Sequence, residues 1–238
     1  MKGLMIAFSA PNLEAPLNCN RQTQALLYSL LGGLKDKYHD EGFGNKRYKL
    51  FTFSSLRGKK TIKIKDKKMI FQDRIYLDVR SVYDEFCDAL HAELSPKTSL
   101  TFCGGEIKCA DVRFLSPEIT SGSLAITMLS PIDIHTTDEQ NKTKYYSISD
   151  AEFHKLFNEN FARKYETYAG KKPDGEVTLS PLAFDAKKHK VVTTYKDILI
   201  TAYKGEYELE GDSEYLNFLY YAGLGARNSA GFGMFDVM

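Results

Sequence analysis

Tryptophan is absent from the 238 residues, and cysteine is scarce. The four thiols, Cys19, Cys87, Cys103 and Cys109, include no Cys-x-x-Cys pair. Their spacing fits neither a zinc site nor a disulfide framework, so reduced, mostly buried thiols are expected. No apolar run approaches the ~20 residues that span a bilayer, which excludes a transmembrane helix. Met1 to Ala10 carries one Lys and an apolar stretch too short for the core of a signal peptide. Ile6-Ala7-Phe8-Ser9 reads instead as a first strand, and a cytoplasmic protein with no membrane partner is expected. An excess of charge is missing as well, since 32 Lys and Arg stand against 31 Asp and Glu. What remains is ordinary for a globular chain: 43% hydrophobic and 26% charged residues, enough for two modest domains or one large one.

The near-neutral total conceals an uneven distribution. Arg21 to Lys68 contains 13 Lys or Arg against Asp36, Asp40, Glu41 and Asp66, a net of +9. The first 20 residues sum to zero, so the other 170 carry −8. A basic face on an acidic body suits a polyanion. A solvated basic hairpin over Arg57 to Lys68 explains the same count, and charge alone does not separate the two.

Hydrophobic periodicity orders the chain. Met5 to Phe8 is a strand, and Arg21 to Leu34 a helix with Ala25, Leu26, Leu30 and Leu34 on one stripe, expected to fray or kink at Gly32-Gly33. Tyr48 to Phe53 is a strand, Ile62 to Leu77 a hairpin with a Lys-rich tip, and Val82 to Leu94 a helix. Ser99 to Leu115 is strand broken at Gly104-Gly105. This β-α-β-β-α-β order is ferredoxin-like. The second half repeats it: strand Leu124 to Ile134, helix Ser149 to Tyr168 opened by a Ser149/Glu152 capping box, strands Val177 to Phe184 and Ile198 to Leu209, helix Ser213 to Tyr221, and strand Gly231 to Val237. The expected class is α+β, two tandem ferredoxin-like (RNA-recognition-motif-like) units. Ser116 to Gly122 is the one plausible seam, giving domains 1–118 and 119–238.

Gly223-Leu224-Gly225-Ala226-Arg227-Asn228-Ser229-Ala230-Gly231-Phe232-Gly233 is the most informative stretch. Two Gly-hydrophobic-Gly units flank five residues between a helix and the last strand. Glycine permits positive φ and close backbone approach. Exposed amides there can form an anion nest, with Arg227, Asn228 and Ser229 as further donors. No Gly-Lys-Ser/Thr ends it, so it is not a Walker A loop. Asn228 occupies the place of a third glycine and a helix precedes it, so it is not a dinucleotide fingerprint.

Together with Leu27-Tyr28, the His39 that precedes Gly42, the strand Lys49-Leu50-Phe51-Thr52-Phe53-Ser54 and Leu129-Ser130-Pro131-Ile132, this loop resembles the CRISPR repeat-processing endoribonucleases. These are a branch of the repeat-associated "mysterious protein" superfamily, and the resemblance covers most of the chain. It implies an enzyme that binds and cuts the repeats of a CRISPR precursor RNA, needs no cofactor or metal, and associates in some cases with an effector complex. It also implies that Tyr28, His39 and Lys49 carry the activity. Arg21, Lys59, Lys60 and the loop residues Gly223, Gly225, Arg227, Asn228, Ser229, Gly231 and Gly233 are the expected RNA contacts.

These residue types suit that chemistry. The RNA 2′-hydroxyl can attack its own 3′-phosphate, so the protein must supply a base, an acid for the leaving 5′-oxygen and positive charge for the phosphorane. His39 is the natural acid or base, Tyr28 is a candidate partner, and Lys49 suits the developing charge. On one unbroken helix Tyr28 and His39 would lie ~16 Å apart, so the helix must break between them. Other readings are thinner. His39-Asp40 resembles a metal-dependent His-Asp hydrolase pair, but no second set has compatible spacing. His91, His135, His154 and His189 are scattered, and Phe51, Phe53 and Phe102 fit a core better than a base-stacking platform. A non-catalytic RNA-binding subunit shares the fold and glycine loop; Tyr28, His39 and Lys49 together argue against it.

Overall fold

The computed structural model describes all residues except 46, 96 and 97. The first half runs β1 (Lys2–Ser9), β2 (Leu13–Pro16), α1 (Asn20–Ser29), β3 (Phe51–Phe53), β4 (Lys60–Lys63), β5 (Lys68–Phe71), β6 (Arg74–Ser81), α2 (Asp84–Glu93), β7 (Ser99–Phe102) and β8 (Gly105–Leu115). Five of these strands form one antiparallel sheet in the order β3-β6-β1-β8-β7. Taking β1, β3, β6 and β8 as the four strands of the unit, the order is second, third, first, fourth, the ferredoxin-like arrangement. The Lys-rich hairpin β4-β5 stands outside it and pairs with β2 as a separate three-stranded sheet.

The second half runs β9 (Ser123–Met128), β10 (His135–Thr137), β11 (Thr143–Tyr145), α3 (Phe153–Ala169), β12 (Thr178–Ala183), β13 (Lys190–Tyr195), β14 (Ile198–Tyr203), β15 (Glu206–Glu210), α4 (Ser213–Ala222) and β16 (Phe235–Val237). Its sheet has the order β12-β15-β9-β16, again second, third, first, fourth. The fold is therefore two tandem ferredoxin-like units. The hairpin β13-β14 is an insertion between the second and third strands of the second unit, a two-stranded sheet of its own that is bridged to the rest by Tyr203 and Ile132.

Several elements differ from the periodicity reading, each for a local reason. Helix α3 begins at Phe153, not Ser149. The Ser147 amide and hydroxyl are held by the Asp150 carboxylate at 2.6 and 3.0 Å, which makes a turn where the capping box was expected. From there Phe153, Phe157, Phe161 and Tyr165 place one buried ring on every turn. The expected strand Leu124 to Ile134 ends at Met128, because Pro131 has no N–H to give a ladder; Leu129 and Ser130 donate to the Met234 carbonyl instead. Ile198 to Leu209 splits at Lys204-Gly205, where Gly205 takes φ +142°. Phe51, Phe53 and Phe102 are core residues.

The two halves share their packing. Leu50 and Val82 of the first are buried in the core of the second. Across the seam the buried Arg80 guanidinium donates to the Phe235 carbonyl at 2.5 Å and lies 3.6 Å from the Tyr220 ring centroid. The Thr52 hydroxyl donates to the Phe232 carbonyl at 3.1 Å, and Ser55 N–H to Leu129 at 3.2 Å. Among the described residues no helix is long and apolar enough to cross a membrane.

Candidate active site

The break between Tyr28 and His39 comes earlier than the glycine pair. Helix α1 ends at Ser29, and Gly32, at φ +53°, turns the chain into a single 3₁₀ turn over Gly32–Leu34. A π-type turn over Lys37–Glu41 follows, closed by Gly42 at φ +65°, whose N–H donates to the Lys37 carbonyl at 2.8 Å. An added Cβ on Gly42 would lie 2.5 Å from the Arg47 carbonyl oxygen, so only glycine closes this turn without displacing the Arg47 backbone. Glu85 of α2 fixes the turn: its carboxylate accepts from Lys37 Nζ at 2.6 Å and from the Tyr38 hydroxyl at 3.0 Å. Tyr38 itself is fully buried.

This doubling back puts His39 against Tyr28. The ring centroids are 4.9 Å apart, edge to face at 86°. Lys49 closes the group by donating its ammonium to the His39 carbonyl at 2.7 Å. Burial pushes the Tyr28 phenol up, with Tyr195 and Asp40 acting the same way, so it stays protonated and serves as a donor. Its present bond, to the Tyr38 carbonyl, is long at 3.4 Å and easily exchanged. Burial lowers the Lys49 ammonium, and the Asp40 charge opposes that shift. His39 Nδ1 lies 2.6 Å from Asp40 Oδ1, and a proton on Nδ1 leaves Nε2 with its lone pair free.

These three side chains line one cavity of about 360 Å³. Gln24 lies one helical turn before Tyr28 in the same wall. Ser229, Ala230 and Arg227 of the glycine loop face them, and Tyr195, Lys196 and Ile198 at the tip of the β13-β14 hairpin complete the rim. Gln24 joins the three parts, giving its amide N–H to the Ser229 carbonyl at 2.6 Å and accepting from the Tyr195 hydroxyl.

The glycine loop is held by its own carbonyls. Lys164 of α3, buried to 2% exposure, donates to the carbonyls of Gly223 (2.6 Å) and Gly225 (3.0 Å) and to Asn228 Oδ1 (3.0 Å). Burial pushes this ammonium down to about 7, while the three bonds it donates favour its charged form. The amides of Leu224, Ala226, Ala230, Gly231 and Gly233 are spent on protein carbonyls and are not free for a nest. Asn228 is likewise not the free donor expected: its amide gives to Leu224 and Phe232 and its oxygen takes Lys164. The glycines serve close packing. A Cβ on Gly231 would sit 2.5 Å from Phe53 Cε2, and one on Gly225 2.5 Å from the Asp133 carbonyl oxygen.

Arg227 does face the cavity. Its guanidinium pairs with the fully buried Asp133 carboxylate and lies 2.9 Å from His135 Nδ1, which is 3.0 Å from Asp133. Arg21 and Lys59 are exposed and line no part of the cavity, and Lys60 enters a different one. Gln24, Asp133, His135, Lys164 and the hairpin tip were not legible as site residues. Of these, Gln24 carried a signal, the i, i+4 relation to Tyr28.

Two ferredoxin-like units, a glycine loop wedged between them and a Tyr–His–Lys group on its first-unit side define the class: a tandem ferredoxin-like protein with a polar interdomain site. Residues 114–237 match the family model "CRISPR associated protein Cas6, C-terminal", and the chain belongs to the Cas6 family. It is 24% identical over 222 residues to CRISPR-associated endoribonuclease Cas6 1 of Methanocaldococcus jannaschii, covering 92% of this chain and 85% of that one. A Cas6-related protein from Pyrococcus furiosus has the same fold, with a TM-score of 0.82 at 18% identity, over 100% of this chain and 98% of that one. So does a RAMP protein that binds different RNA substrates, with a TM-score of 0.80 at 18% identity and full coverage of both chains.

Proposed function

We propose that this protein is an endoribonuclease that binds the repeats of CRISPR precursor RNA and cuts within each by attack of a 2′-hydroxyl on the adjacent phosphate. Family membership supports the substrate class. The observation that carries the chemistry is the meeting of Tyr28, His39 and Lys49 on one cavity beside Arg227. In this reading His39 Nε2 takes the 2′-hydroxyl proton, the O2′–P bond forms, and the P–O5′ bond breaks. Tyr28, kept protonated by burial, donates towards the leaving 5′-oxygen. Lys49 and Arg227 balance the charge of the phosphorane. The products are a 2′,3′-cyclic phosphate and a 5′-hydroxyl. Residues 1–118 supply the acid–base groups, and residues 119–238 the loop and Arg227.

The test is cleavage of the repeat RNA in excess EDTA, with the product ends identified. Undiminished cutting that leaves cyclic phosphate and 5′-hydroxyl ends is expected. Loss of cutting with EDTA, restored by a divalent cation, contradicts the chemistry. Tight binding with no cutting in any buffer would make the protein a non-catalytic RNA-binding subunit.

A further inference from the structure

A second cavity, of about 280 Å³, lies between the Lys-rich hairpin and the inserted hairpin β13-β14. Its apolar lining includes Leu56, Ile62, Met69, Val191 and Phe232. Two cations enter it, Lys60 from β4 and Lys204 from the β14-β15 turn, and no Asp or Glu is among the described residues that line it. Lys60 gives one bond to the Leu56 carbonyl at 3.0 Å and lies 5.2 Å from the Phe71 ring centroid. Burial lowers both ammoniums, and the charge of Lys204 lowers that of Lys60 further. Lysines that repel one another, with no carboxylate between them, are relieved by an anion. The apolar walls require that the anion carry a flat or apolar body.

The placement of this cavity says which anion. Asn20 lines it, while Gln24 and Tyr28, one and two turns further along the same face of α1, line the candidate active site. On the facing hairpin Val191 and Thr193 line the second cavity, and Tyr195, next on that face of β13, lines the first. Asn20 and Tyr28 are ~12 Å apart along the helix axis. The two cavities thus lie side by side along one α1/β13 groove.

We infer that this second cavity binds one unstacked nucleotide of the RNA strand whose scissile phosphate lies at Tyr28 and His39, its base against the apolar wall and its phosphate between Lys60 and Lys204. The inference rests on the proposed RNA substrate, but its test does not require cleavage. The probe is a labelled single-stranded oligoadenylate of about 12 nucleotides, a length within the usual site size for such strands. Its affinity is measured against salt for the native chain, Lys60→Ala and Lys204→Ala. Each variant is expected to flatten the plot of log K against log salt by about 0.7, the share of one phosphate contact in a single strand.

Thr193→Trp gives the chain its sole tryptophan, at the cavity wall. Its emission is expected to change on binding of the oligomer, and not with AMP at the same nucleotide concentration. Unchanged salt slopes in both lysine variants overturn the inference even if repeat RNA is cut as proposed. An equal response to AMP overturns it in favour of a free-nucleotide site. Flattened slopes in a protein that never cuts repeat RNA would leave this site standing and remove the proposed function.

Discussion

Replacing His39 with Ala is expected to slow repeat-RNA cleavage by ~100-fold or more, the scale of one lost acid–base group. Affinity should be little changed, because phosphate contacts spread over many basic groups dominate it. The geometry makes this substitution unusually clean. Lys49 is held by the His39 carbonyl, not by its ring, so the ammonium keeps its anchor when the side chain is removed. The ring is exposed and meets the Tyr28 ring edge to face. Loss of that contact costs about 1 kcal/mol, too little to unfold the chain. Single-turnover cleavage and equilibrium binding, measured on the same preparations, separate the two effects. A fall in affinity as large as the fall in rate would place His39 in RNA binding and not in proton transfer.

The second large effect is on folding. Gly233→Val places a β-branched residue at φ +75°, and its Cβ would fall within the van der Waals shell of the Leu224 carbonyl oxygen and 2.7 Å from Asn228 Nδ2. Neither neighbour can yield. Leu224 N–H is bonded to the Gly233 carbonyl at 2.8 Å, and the Asn228 amide is committed to Leu224 and Phe232. Backbone strain with an unrelieved contact predicts a loss of about 4 kcal/mol, visible as a large drop in the urea midpoint. Gly104→Ala is the internal control: φ is +80°, but nothing lies within 4 Å of the added carbon. There the conformational cost alone, about 1 kcal/mol, is expected. Equal losses in the two variants would mean that the loop is not closely packed.

Much of this was readable from residue order. The apolar stripes of α2 and α4 and the repeated β-α-β-β-α-β order lie in short-range periodicity, which needs no tertiary information. The requirement that the chain break between Tyr28 and His39 followed from helix rise alone, and the structure meets it with two irregular turns. The role of the glycine loop was only half legible. Four glycines signal close approach, but whether the approaching group is RNA or protein depends on residues far away in sequence. Here it is protein: Phe53, Asp133, Leu224 and Lys164 fill the space. Lys164 was hidden because it sits among the buried rings of α3, where one polar residue leaves the apolar period intact. Asp133 falls within the expected strand Leu124 to Ile134 and His135 among the scattered histidines, and their meaning appears only with Arg227 beside them. The hairpin tip Tyr195-Lys196 lies over 150 residues from Tyr28 in sequence, and no local pattern relates the two.

The central claim, that the nucleophile belongs to the RNA, is tested most directly by one substitution in the substrate. A repeat RNA with a single 2′-deoxy nucleotide at the scissile position keeps every phosphate and loses only the attacking hydroxyl. Binding and single-turnover cleavage of this RNA are measured beside the unmodified strand. The account predicts equal affinity and no cleavage at the modified bond. Cutting of the deoxy strand at that bond would show that water, not the 2′-hydroxyl, attacks the phosphorus, and would contradict the role given to His39.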